Sequence, residues 1–127
     1  LRAWAAQAAR TVNTGKYIDP ALAKLMTTRR AKGMKVIMGD EVGTYYPGPL
    51  PMLPLRVAAV SPSERRIKIC VVAAGFSLKP GTHVPHEPFE LMPVDAALQL
   101  SAGSWKVSLY QRANFSCATV KVPMPKW

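Results

Sequence analysis

Acidic residues are scarce in this chain: 7 Asp and Glu stand against 17 Lys and Arg in 127 residues, for a formal net charge of +10. A surface so unbalanced repels itself, and an anionic partner relieves the repulsion. Nucleic acid, acidic protein and anionic lipid are the partners such a balance selects. Long apolar runs are also missing. The longest, Ile67 to Leu78, is broken by Lys68, Gly75 and Ser77. It falls short of the ~18–20 residues that cross a bilayer, so it reads as a buried strand in a chain that is not membrane-spanning. Cysteine is reduced to Cys70 and Cys117, too few for a disulfide framework. Both lie in β-like runs and read as buried thiols, which fits a reducing compartment.

The marks of catalysis are thin as well. His83, His86 and Glu87 are the single cluster with a metal-like composition, but Pro85 separates the histidines and both cysteines are far away in sequence. Structural zinc needs four good ligands, so this cluster reads as a polar surface loop. Neither cysteine has a strong cation or a helix start beside it to activate a nucleophile. Asp40, Glu41, Glu87 and Glu90 sit in turns or loops, where solvated carboxylates are the rule. Gly39 and Gly43 flank acids that would repel a phosphate, so no phosphate-cradling loop is present. No catalytic residue, metal or cofactor is therefore expected, and a binding role is.

What the chain does have is enough apolar content, 49%, for one modest core, together with 12 prolines that favour extended surface loops. Its charge is uneven. Residues 1–35 carry eight bases and one acid, residues 36–95 five bases and six acids, and residues 96–127 four bases and no acid. The two ends are thus expected to bear the cationic surface.

In the first 18 residues Leu1, Trp4, Ala5, Ala8 and Val12 fall at helical spacing, with Arg2 and Arg10 elsewhere. Such an acid-poor amphipathic segment reads either as an organellar transit remnant or as a basic surface helix. A second helix is expected from Pro20 to Lys32. Asp19 suits its N-cap, Pro20 its first position, the cluster Arg29, Arg30 and Lys32 its negative dipole end, and Gly33 its stop. Met34 to Met38 reads as a short strand. Tyr45 to Pro54 and Lys79 to Pro93 read as proline-rich loops. Leu55 to Val60 and Arg66 to Ala74 form a hairpin about Ser61-Pro62-Ser63-Glu64. A second hairpin is expected to pair Trp105–Tyr110 with Ala118–Val122 around Arg112-Ala113-Asn114. The sum is an α+β fold, with an N-terminal helix or helices before a small antiparallel sheet or partly open β-barrel. It divides into a basic helical segment (1–33), a mainly-β domain (34–122) and an extended tail (123–127). From Lys32 to Val72 the order strand, Gly-Asp, loop, two strands around a basic turn resembles the SH3-like barrels of several ribosomal proteins. Here the proline loop Pro47 to Pro54 replaces the glycines that mark those barrels.

The candidate contacts to RNA or another anionic partner are Arg2, Arg10, Lys16, Arg29, Arg30, Lys32, Lys35, Arg65, Arg66 and Lys68. Tyr45, Tyr46, Leu50, Met52, Leu53 and Trp127 are the candidates for docking on protein. The expected function is that of a non-catalytic structural subunit: a mitochondrial ribosomal protein on the matrix side, contacting rRNA and neighbouring proteins. The alternative is a soluble accessory subunit of a respiratory-chain complex or ATP synthase, its charge turned to acidic subunits or anionic lipid.

Overall fold

The computed structural model describes residues 1–16, 19–33, 43–85 and 88–124. Three helices, α1 (Arg2–Asn13), α2 (Pro20–Lys24) and α3 (Thr28–Lys32), precede four strands, β1 (Met52–Ser61), β2 (Glu64–Ala74), β3 (Glu90–Ser101) and β4 (Ser104–Arg112). The strands form an open antiparallel meander in the order β1-β2-β3-β4. The fold is α+β, with no closure into a barrel. The expected strand Met34–Met38 lies outside the described residues.

The apolar stripe of α1 is real: Trp4, Ala5, Ala8 and Ala9 are buried. Trp4, Ala5 and Ala8 pack with Leu22, Met26 and Val107 in one cluster, so the helices close over β4. Ile67, Ile69, Val71, Val94 and Ala96 form a second cluster on the sheet. Each of these Ile and Val side chains contributes about 1.5–3 kcal/mol when fully withdrawn from water. A third cluster joins Cys70 and Val72 to Tyr46, Phe76, Cys117 and Val122 on the opposite face of β2.

The helix expected from Pro20 to Lys32 is broken in two. Asp19 caps it as expected, accepting from Ala21 N at 2.8 Å, and Pro20 opens α2. At Met26 the backbone leaves the helix to form a parallel bridge with Val107. Val107 N donates to Leu25 O and Thr27 N donates to Val107 O, both at 2.9 Å. These bonds to β4 replace those of a continuous helix, and α3 then starts afresh from an extended Thr27.

The first hairpin stands where the turn signal put it, between Ser61 and Glu64. The second does not. Its arms are β3 and β4 around Ala102 and Gly103, both with positive φ (49° and 74°). That is the backbone of a tight two-residue hairpin, and glycine or asparagine fits it better than the alanine present. The alternation at Ala118–Val122 is not a strand; this segment is irregular and lies over the sheet. Pro93 belongs to interior strand β3 rather than to a loop, because β4 ends at Arg112, level with Val94. The Pro93 carbonyl accepts from Ala113 N on that side, and no N–H is needed there.

The largest correction concerns the cysteines. Cys70 and Cys117 are not thiols but a disulfide, 47 residues apart in sequence. Two cysteines are too few for a framework yet enough for one cross-link. The bond fastens the irregular C-terminal segment across β2, where Val122 and Cys117 are buried.

Candidate functional site

Side chains alternate between the two faces of a strand, so the register fixes which residues share a surface. On the face that carries Cys70, the next row across the sheet is Arg56, Lys68, Asp95 and Gln111, one from each strand. The row beyond it is Ala58, Arg66, Ala97 and Leu109. The small side chain of Ala58 leaves space beside Arg66. The result is an open hollow of about 310 Å³, lined by Arg56, Arg66, Lys68, Asp95 and Gln111 over Ala58 and Leu109.

Electrostatics make this hollow cationic. Arg56 and Lys68 lie directly opposite each other, a like-charge pairing that costs stability in an antiparallel sheet. Arg56 makes no hydrogen bond or ion pair among the described residues. Lys68 Nζ sits 5.0 Å from the Phe115 ring centroid, a cation–π contact within the segment tied down by the disulfide. Arg66 donates to Glu64 at the mouth of the first hairpin, where both side chains remain partly exposed. Three cations thus face Asp95, with Glu64 engaged at one edge. An anion seated beside Arg56 and Lys68 would offset their mutual repulsion.

The other predicted cations are dispersed. Arg30 is half-buried and donates from Nη2 to Tyr110 O at 2.6 Å, tethering α3 to β4. Burial raises the Tyr110 hydroxyl well above its usual range, with Arg30 opposing, so this phenol stays neutral. Arg65 donates to Ser61 O and Glu64 O and lies 4.9 Å over the Trp105 ring, bracing the hairpin. Arg10 donates to Gln7 on its own helix. Arg2, Lys16, Arg29 and Lys32 are exposed. Lys35 lies outside the described residues, as do His86 and Glu87.

The predicted docking residues divide likewise. Tyr46 is buried, packs edge-on against Phe76 at 4.6 Å, and exchanges two hydrogen bonds with the Asn13 side chain. Tyr45 is exposed and pairs through its backbone with Leu78. Leu50 and Met52 line a second, apolar hollow of about 410 Å³ against Ala3 and Ala6 of α1, with Arg2 at its rim. Leu53 packs on the cluster around the disulfide. Trp127 is outside the described residues. Tyr46, Leu50, Met52 and Leu53 therefore pack on the chain's own core, and the end of the expected proline-rich loop, Met52 to Pro54, belongs to β1 instead.

Arg56, Asp95 and Gln111 were absent from the sequence-derived set. Arg56 and Asp95 lie in a segment of nearly zero net charge, and that sum hides a cationic face. The available signal was the alternation Arg56, Ala58 against Arg66, Lys68 about the first turn, which puts all three cations on one side of a hairpin. Among the described residues no three His, Cys, Asp or Glu side chains cluster at metal-holding distance, and no helix is long and apolar enough to cross a membrane. No protein-family model matches the chain, and no curated protein aligns with it significantly.

Proposed function

We propose that the chain is a non-catalytic structural subunit that holds an acidic protein partner on the cationic face of its sheet. The row Arg56–Lys68–Asp95–Gln111 carries this reading, because it sets the like-charge pair Arg56 and Lys68 on an open surface with Asp95 as the row's single acid. A cross-link buried in the core supports an oxidising setting, since such bonds persist where thiols are not kept reduced. Of the two assemblies expected from composition, this favours a soluble accessory subunit outside the reducing matrix and cytosol over a matrix ribosome. The ribosomal reading draws on the exposed Arg2, Lys16, Arg29 and Lys32 of the helical layer, along which a polynucleotide could track.

Fluorescence anisotropy with labelled poly-glutamate and with labelled single-stranded RNA separates the two. The acidic-partner reading expects poly-glutamate to bind the oxidised protein and Arg56→Ser/Arg66→Ser/Lys68→Ser to abolish that binding. Tight RNA binding that survives the triple substitution, with none to poly-glutamate, would return the ribosomal reading.

A further inference from the structure

Strand β1 is an edge of the open sheet, and no described residue pairs with its outer side. Such an edge offers a row of free N–H and C=O groups, and natural proteins blunt it with prolines, bulges and charges. Here the proline and the register shifts lie towards the two ends, and Arg56 is the strand's single charge. Pro54 and one register shift precede Arg56, and a second shift follows Ala59. Arg56–Ala59 pairs regularly with β2, and among the described residues nothing pairs with its outer side. Its two faces differ sharply. Arg56 and Ala58 stand on the cationic face beside Lys68 and Arg66. Val57, 60% exposed, and Ala59 stand on the apolar face beside Ile67 and Arg65.

We propose that β1 receives an extended segment of a partner protein as a fifth strand, and that this segment alternates acidic with apolar residues. Strand addition supplies main-chain hydrogen bonds, and alternate side chains supply selectivity. A guest strand lies about 5 Å from β1, so its acidic side chains meet Arg56 directly and reach toward Arg66 and Lys68 in the next strand. Its other side chains cover Val57 and Ala59. Charge complementarity selects this occupant over a second copy of the chain, whose own β1 would bring Arg56 and not an acid. The proposal rests on the cationic face being the anion site and adds where the partner's backbone runs.

The test uses the full oxidised chain and short blocked peptides. One peptide alternates Glu and Val; a second has the same composition with the Glu residues in one block. Two further alternating peptides carry backbone N-methyl groups on one or the other alternate set of residues. Binding is followed by anisotropy, and amide exchange is measured along residues 55–61. The alternating peptide is expected to bind about tenfold or more tighter than the block peptide, with slowed exchange on β1. One of the two N-methylated frames is expected to lose binding, and Arg56→Glu to weaken it by about tenfold or more. Equal binding of alternating and block peptides, with no effect of N-methylation, would overturn strand addition while leaving the acidic-partner function standing. Binding of poly-glutamate and neither peptide has the same meaning. Loss of all acidic ligands overturns both. A dimer by sedimentation with β1 amides protected in the absence of peptide would assign the edge to a second copy and overturn the proposal.

Discussion

At the scale of single residues, a few side chains do several things at once. Asp19 caps α2 and also accepts from Thr11 Oγ1 at 2.6 Å and Gln7 Nε2 at 2.8 Å, joining α1 to α2. Asp19→Ala should cost about 1–2 kcal/mol in urea unfolding, with Asp19→Asn recovering part of the cap. The Thr11 hydroxyl, ahead of Gln7 and the Ala21 and Leu22 amides, holds the Asp19 carboxyl below the usual carboxylate range. A carboxyl depressed in the folded state stabilises fully above its unfolded value, near pH 4, and loses that contribution as pH falls through the folded value. The acid limb of the stability curve should therefore flatten in Asp19→Asn between about pH 4 and lower pH. Gly75 has φ +83°, and a Cβ there would lie 2.4 Å from Phe89 Cα. Gly75→Ala should destabilise by several kcal/mol, about 3 or more, because both the backbone region and the space are closed to a side chain. The capping role of Asp19 was legible from its place before Pro20. Its bonds to α1 were not, because they depend on how two helices meet.

At the scale of elements, the sheet shows what alternation can and cannot tell. The first hairpin was legible because turn residues and β-branched runs agreed. The second was placed one strand too late, since Ala118, Val120 and Val122 alternate as a strand would, yet the disulfide at Cys117 holds that segment against β2 instead. Pro93 hid the start of β3, being tolerated where β4 has already ended. The turn at Ala102–Gly103 offers a direct check. Alanine at φ 49° carries a penalty that glycine avoids, so Ala102→Gly should raise stability by about 1 kcal/mol, measured as a higher urea midpoint at unchanged slope.

At the scale of the whole molecule, one cross-link and one face organise the account. Closing a loop that spans 47 positions restricts the unfolded chain, and loop entropy alone gives the Cys70–Cys117 bond about 4 kcal/mol. Reduction, or Cys70→Ala/Cys117→Ala, should lower the melting temperature accordingly and free the segment that sets Phe115 beside Lys68. Composition pointed to an anionic partner as an expectation, and it directed attention to the two ends of the chain. The fold redistributes that charge: Arg30 and Arg65 are taken up in bracing the helices and the hairpin, while Arg56, Arg66 and Lys68 from the neutral middle converge on one surface. The most direct test compares polyanion affinity against salt concentration for two variants of the oxidised protein. One removes the face cations (Arg56→Ser/Arg66→Ser/Lys68→Ser), the other the exposed end cations (Arg2→Ser/Arg29→Ser/Lys32→Ser). The face variant should lose poly-glutamate binding and its salt dependence, and the end variant should keep both. The reverse result would contradict the assignment of the binding surface to the sheet.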